Sequence, residues 1–261
     1  MARFCPIASG SSGNCIYVSY GNTSVVIDAG IPFKQIESGV SMCGGDVSKI
    51  SAIVITHSHT DHISGIKALI NKTHAPIYAT KDTVLELIHK NLLPKDSVLI
   101  DSDVDSAVIG DIKVSRFKTS HDAPGSCGYR VNTPSGDCAV CTDLGIVTDK
   151  VRTALSGCKL VLFESNHDID MLRRGPYPAH LKIRILSDLG HLSNNTSAAE
   201  IPFLINSGVK QIILGHLSQK NNTPDLAISA ARISAESAGA KVDADFLLSA
   251  AKPGFSGVSV F

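Results

Sequence analysis

Apolar, largely β-branched residues in this chain come in short runs punctuated by glycine, serine and asparagine. Phe4 to Ile7, Cys15 to Tyr20 and Ser24 to Asp28 read as three strands; the first two flank the turn-rich SGSSGN, and the last two turn at Gly21-Asn22. Ile53, Val54 and Ile55 are apolar at successive positions, as expected of a parallel strand covered on both faces by helices. Helical spacing follows. Ile63, Ile66, Leu69 and Ile70 share one face of Ile63 to Lys72, and Val84, Leu85, Ile88 and Leu92 share one face of Lys81 to Leu93, which Pro94 ends. Between them Ala75 to Tyr78 reads as a strand.

From Ala107 to Leu144 the pattern is β again: AVIGDIKVSRF, CGYRVNT and CAVCTD, the last two turning at Pro134-Ser135-Gly136. The C-terminal third alternates. Helices are expected at Thr148 to Leu155, Leu181 to Leu189, Asn194 to Ser207 with Gly208 as its stop, and Thr223 to Ser237 with Leu226, Ile228, Ala231 and Ile233 partly inward. Strands are expected at Lys159 to Phe163, Gln211 to Leu214 and Phe246 to Ser249. Two blocks of strands, each followed by helices, predict an α/β (α+β) chain folded as a four-layer αββα sandwich of two similar halves. No linker interrupts it, so residues 1–261 are expected to form one domain without an inserted second one.

At 43% apolar residues the chain can bury a sizeable core, and its formal net charge of zero leaves no global field to draw in polyanions. Any nucleic-acid partner must be held by a local basic patch. No stretch is long enough to span a membrane, and MARFCPIASG lacks the pattern of a signal peptide, which predicts a cytoplasmic protein. Seven scattered cysteines fit reduced thiols, and Cys138 and Cys141 fall on opposite faces of a strand, which excludes a shared metal or redox pair. Asp101, Asp103 and Asp105 open like a calcium loop, but Ser106 and Ile112 replace its glycine and glutamate, leaving a turn.

The chemistry concentrates directly after the buried strand at Ile53, in THSHTDH. In extended backbone His57, His59 and Asp61 point one way and His62 another; four such donors would crowd one ion but not two neighbouring ones. Neutral imidazole suits zinc, manganese or iron. His121 in TSHD, Asp143 in CTDLG and His216 in GHLS also stand at strand ends, where a turn or cap role competes with a ligand role. Asp28, closing VVID, fits either a buried carboxylate supporting the metal loops or a turn carboxylate. His74 and His89 lack partners nearby and read as surface residues.

His57-x-His59-x-Asp61-His62 after an apolar strand resembles the signature of the metallo-β-lactamase superfamily. Within it, LFESNHD (Leu162 to Asp168), SDLGHLSN (Ser187 to Asn194) and LGHLSQ (Leu214 to Gln219), with SGSSGN and VVIDAG, resemble the YycJ/WalJ family of small nucleases. The likeness runs from about Phe4 to the helix after Thr223. It implies the αββα layout and two divalent ions: His57, His59, His121 and Asp143 on one, Asp61, His62, His216 and the shared Asp143 on the other. It further implies a metal-dependent hydrolase, a phosphodiesterase acting on nucleic acid, DNA rather than RNA, from 5′ to 3′. The order Glu164, His191, His216 is also similar to that of RNase Z, which implies that Glu164 orients His191 and that His191 protonates the leaving oxygen, while Asp61 orients the attacking water.

His191 precedes an expected helix N-terminus, where Ser193 and Asn194 would meet a phosphate. MLRRGPYPAHLKIR places Arg173, Arg174, Lys182 and Arg184 nearby with Tyr177 available to stack or pack; a solvated basic face is the competing reading. The long insertion of RNase J and mRNA-cleavage relatives is absent between Asp143 and His216, which argues against those two activities, and the tRNA-clamping arm of RNase Z is not evident either. A thioester hydrolase of glyoxalase II type or a noncatalytic regulator remain as alternatives.

Overall fold

A computed structural model describes residues 1–100 and 103–261. The first half runs β1 (Ala2–Ala8), β2 (Cys15–Tyr20), β3 (Thr23–Ile27), α1 (Phe33–Met42), β4 (Ala52–Val54), α2 (Thr60–Ile63), α3 (Ile66–Thr73), β5 (Ile77–Tyr78) and α4 (Lys81–His89). The second runs β6 (Ser106–Ile109), β7 (Ile112–Lys118), β8 (Cys127–Thr133), β9 (Gly136–Cys141), α5 (Asp149–Leu155), β10 (Leu160–Glu164), α6 (Ile169–Arg174), α7 (Ala179–Ile185), α8 (Asn194–Asn206), β11 (Gln211–Gly215), α9 (Pro224–Ser237), β12 (Leu247–Ala250) and β13 (Ser259–Val260).

Two sheets result, ordered β13-β1-β2-β3-β4-β5 and β12-β11-β10-β9-β8-β7-β6. Their apolar faces meet in an inner core that includes Phe4, Val25, Val54, Tyr129, Val140 and Leu162. Outside the first sheet, Ile36, Val40, Leu69 and Ile70 of the helices close a second core over Ile53 and Val26. Outside the second, Val151, Leu155, Ile201, Leu204 and Ala231 cover Val161 and Ile212. β4 and β10 are buried at every position between helices on one side and the other sheet on the other, which is why they read as continuous runs. The expected αββα sandwich is the observed one.

Pairing is antiparallel where hairpins join strands and parallel where helices intervene: β3 with β4 and β4 with β5 in one sheet, and β9 to β12 in the other. Ligands gather where parallel strands deliver their carboxyl ends. Here β3, β4, β9, β10 and β11 end in Asp28, the His57 loop, Asp143, Glu164 and His216.

Some sequence expectations need correction. AVIGDIKVSRF is a hairpin, β6 and β7, turning at Gly110, whose φ is +53°. The helix expected from Ile63 begins earlier and breaks: α2 ends at Ile63 and α3 restarts at Ile66, because Gly65 N donates to Ala29 O at 2.7 Å. Helix α4 turns Val84 and Leu87 inward, leaving Leu85 and Ile88 exposed, and it ends at His89 before Pro94. In α9 the inward face is Ala227, Ala231 and Ala235, with Leu226 and Ile233 exposed. The helix expected over Leu181 to Leu189 is α7, which starts at Ala179 and ends at Ile185. Of the acidic run, Asp101 lies outside the described residues, and Asp105 accepts from Arg116 Nε at 3.1 Å. All seven cysteines are free and buried; Cys138 faces the inner core and Cys141 the outer one. Among the described residues no helix is long and apolar enough to cross a membrane.

Candidate metal centre

The loop after β3 is threaded between the Asn14 turn and the histidine motif. Asn14 N donates to Asp61 O, Ala29 N to His62 O and Gly30 N to Asn14 O, each at 2.8 Å. A Cβ on Gly30 would lie 1.6 Å from Asp61 O, so only glycine fits there. Asp28, Asp143 and His216 all adopt left-handed backbone, with φ of 62°, 61° and 56°. That conformation costs non-glycine residues free energy, and it turns each side chain sharply off its strand end into the same space.

The extended alternation expected through Asp61 stops at His59, because Thr60–Ile63 is a helical turn. Asp61 and His62 therefore lie near one another, with His62 Nε2 3.6 Å from Asp61 Oδ2. Potential ligand atoms of His57, His59 and His121 lie within 4.8 Å of one another, as do those of Asp61, His62 and His216, and those of His57, His62 and Asp143. The last trio joins the first two. Asp143 splits its oxygens between them, Oδ2 at 3.3 Å from His62 Nε2 and Oδ1 at 3.7 Å from His121 Nε2.

Hydrogen bonding outside these groups fixes which nitrogens point inward. Asp28 Oδ2 accepts from His62 Nδ1 at 2.7 Å and from Thr56 Oγ1 at 2.8 Å, leaving Thr56 Oγ1 to accept from His57 Nδ1 at 3.0 Å. His121 Nδ1 donates to Gly190 O at 3.1 Å. Each of these imidazoles thus presents Nε2 to the centre, held there by the bond its Nδ1 makes. Asp28 is the supporting carboxylate rather than a turn residue.

Divalent cations fit this arrangement. His57 Nε2 and Asp143 Oδ2 are buried with no hydrogen-bond partner, an expense that a metal removes. His121 Nε2 and His59 Nδ1 are 3.2 Å apart, close to the ~3.3 Å between two nitrogens at about 2.0 Å from one tetrahedral ion. Burial holds His57, His59 and His121 below the usual histidine range, so they are neutral, the form that can bind a cation. His62 and His216 differ: burial opposes their charge, but Asp143 and the other carboxylates outweigh it, raising His62 well above that range and His216 to about 10. Against the same burial, His216 and His62 hold Asp143 far below the usual carboxylate range.

Glu164 is completely buried. Its Oε1 accepts from His191 Nδ1 and His216 Nδ1, both at 2.8 Å, and its Oε2 from the amides of Leu144 at 3.0 Å and Leu192 at 3.2 Å. Burial favours its neutral form, yet His191 and His216 lower it to about 2. With both oxygens thus accepting two bonds each, Glu164 holds two imidazoles and is not itself an open ligand. The His191 ring stands 5.0 Å from that of His121 and 5.1 Å from that of His216, its Nε2 left without a bond to Glu164.

The expected phosphate contacts are placed less favourably. Ser193 caps α8 by accepting from Thr196 N at 3.1 Å and pairs with Thr196 Oγ1 at 2.9 Å, and Asn194 is buried between Ser165 Oγ and Asn222, so both side chains are engaged within the fold. Arg184 reaches the rim of the centre, but Asp122 accepts two bonds from it and neutralises it. Lys182 Nζ donates to Arg173 O at 2.7 Å, and Arg173 and Arg174 are exposed in the last turn of α6. Tyr177 packs under Lys220 Nζ, 5.7 Å from its ring centre. His74 and His89 are exposed.

Four contributors escaped sequence reasoning. Asn14 Nδ2 is 3.0 Å from His62 Nε2, Ser9 Oγ accepts from His216 N at 2.9 Å, and Lys90 Nζ donates to Ser58 O at 2.6 Å. Asp122 Oδ1 lies 3.7 Å from His59 Nε2 and 3.5 Å from His121 Nε2. Ser9 and Asn14 are the two ends of the SGSSGN turn and Asp122 directly follows His121, but nothing in the sequence marks their partners.

This chain is 38% identical to exodeoxyribonuclease YycJ of Bacillus anthracis over 226 residues, covering 86% of each chain. It is 35% identical to exodeoxyribonuclease WalJ of Streptococcus pneumoniae over 232 residues, covering 86% of this chain and 85% of the other. The metallo-β-lactamase fold protein YhfI from Bacillus subtilis shares the fold with a TM-score of 0.73 at 17% identity, over 99% of this chain and 98% of that one. Together with the His/Asp clusters, this kinship supports the use of divalent metal. Since the family described as the beta-lactamase superfamily domain matches residues 23–216, which include strands of both sheets and every strand end that feeds the centre, the chain belongs to that family.

Proposed function

We propose that this chain is a metal-dependent phosphodiesterase acting on nucleic acid, a 5′-to-3′ DNA exonuclease, and that residues 1–261 form its single catalytic domain. Two relatives named exodeoxyribonucleases, alike over most of their length, support the substrate. The observation that carries the reading is the Glu164–His191 pair beside the His/Asp clusters, at 2.8 Å. His57, His59, His121 and Asp143 would hold one divalent ion, and Asp61, His62, His216 and Asp143 a second, zinc or manganese, with iron also compatible. When bound, such ions activate water and neutralise charge on a phosphodiester.

The chain's own groups complete the reaction. Asp61, half-buried beside His216, accepts a hydrogen bond from the attacking water and orients it. Glu164 fixes the His191 ring through Nδ1, so Nε2 can deliver a proton to the departing 3′ oxygen; this makes Glu164 a positioning residue and His191 the acid. A glyoxalase II type thioester hydrolase would leave this pair without a role.

Labelled duplex DNA, single-stranded DNA, RNA and S-lactoylglutathione, each supplied with manganese or zinc, test the reading. Mononucleotides should appear from the 5′ end of DNA, and Asp143→Ala should abolish both turnover and metal uptake. Nuclease activity that persists in Asp143→Ala under chelation, or faster thioester than DNA hydrolysis, refutes it.

A further inference from the structure

Next to His121, between the loop after β7 and the start of α5, lies a cavity of about 630 Å³. That is within the range of about 300–1,000 Å³ typical of small-ligand sites. Ala123, Pro124 and Leu189 provide apolar surface, and Lys118 and Lys150 stand on its lining. Both lysines are exposed, and among the described residues neither forms a salt bridge. The acid in the lining, Asp149, is engaged by Arg152 Nη1 at 2.9 Å.

The walls are held in place. Asp122 N donates to Leu189 O at 3.1 Å, Gly145 N to Ser120 O at 2.9 Å and Ser120 Oγ to Asp188 O at 2.6 Å, so three loops share one framework. The hydroxyls of the lining are already used: Thr119 and Ser126 bond each other at 2.8 Å, Ser120 bonds Asp188, and Thr148 caps α5 through Val151 N at 3.3 Å. What remains for a ligand is apolar contact and positive charge, a combination suited to a flat apolar ring carrying an anionic group. A site that offers mainly apolar contact and positive charge discriminates little between one nucleobase edge and another.

We propose that this cavity receives the terminal nucleotide of the strand being cut, its base against Pro124 and Leu189 and its phosphate toward Lys118 and Lys150, without preference among bases. This rests on the nucleic-acid reading above and adds how the end of the strand is held. Of its lining, His121 also belongs to the His57/His59/His121 group, so a terminal nucleotide held there lies next to the centre and digestion would proceed from an end.

Calorimetric titration of the metal-free, full-length protein with the four deoxynucleoside 5′-monophosphates tests the cavity directly. The four should bind within about threefold of one another, while Lys118→Ala and Lys150→Ala each weaken binding about fivefold. Leu189→Ala should weaken it by up to about tenfold. These side chains are exposed, so circular dichroism should show an unchanged fold. Absent binding, or variants that bind as the parent does, overturns the proposal. In the metal-loaded protein the variants should lower the ratio of oligonucleotide to bis(4-nitrophenyl) phosphate turnover. Nucleotide binding that follows this pattern while DNA stays intact upholds the cavity and removes the exonuclease; DNA digestion with variant-insensitive nucleotide binding does the reverse.

Discussion

Replacing Glu164 by glutamine keeps its size and removes its charge. In the metal-free protein this carboxylate accepts two imidazole N–H groups through Oε1 and two backbone N–H groups through Oε2. An amide places its NH₂ against one of those donor pairs, so two buried donors lose their acceptor. The depression of the carboxyl from 4.5 to about 2 corresponds to about 3 kcal/mol of folding free energy, at about 1.4 kcal/mol per pH unit. The sign follows from each partner. A depressed carboxylate contributes stability above pH 4.5 and loses it as pH falls through about 2. The raised His216 contributes below pH 6.5 and loses its share as pH climbs through about 10. The pair is therefore at full strength between those limits, from about pH 4.5 to about 6.5. Urea unfolding of chelated protein near pH 5.5 should show Glu164→Gln less stable by about 3 kcal/mol, with the gap narrowing toward pH 10. A gap under about 1 kcal/mol near pH 5.5, or one that widens with pH, refutes this account of Glu164.

Other consequences can be checked singly. Gly30→Ala drives a Cβ into Asp61 O, and should cost more than about 3 kcal/mol in the same unfolding assay or prevent folding; wild-type stability would mean the loop relaxes freely. Asp28→Asn unsettles both His62 and Thr56, and should weaken metal uptake by about 10–100-fold in competition with a chromophoric chelator; unchanged affinity contradicts its supporting role. His62 and His216 carry protons in the metal-free protein at neutral pH, so divalent metal must displace them. Calorimetry in buffers of different ionisation enthalpy should detect release of about one to two protons, with affinity falling as pH falls; buffer-independent heats argue against it.

Much of this architecture is written locally. The uninterrupted apolar runs of β4 and β10 and the turn residues between β1, β2 and β3 are properties of adjacent residues, and they announce both sheets. His57 to His62 announce a metal site for the same reason, by density over six positions. His121, Asp143 and His216 are lone polar residues in sequence, legible only through a family's order, because nothing local records that their strand ends meet. Their supports are less visible still: Asn14 and Ser9 act through bonds to residues 48 and 207 positions away. On α4 and α9 the size of an apolar side chain is a poor guide to its direction: Val84 and Ala231 face inward as their spacing predicts, but Leu85, Ile88, Leu226 and Ile233 are exposed, and Ala227, Ala231 and Ala235 allow α9 to approach its neighbours closely. The breaks at Gly65 and Gly110 depend on backbone contacts with Ala29 and on a left-handed turn.

One consequence follows from where the clusters draw their members. His57, His59, Asp61 and His62 hang from the first sheet, and His121, Asp143 and His216 from the second, so neither half owns a complete set. Cations held there would rivet the two layers across their seam. Loading is then a readout of whole-molecule assembly: a chain whose halves have not yet docked has nowhere to keep the ions, and cannot begin cutting before it has finished folding.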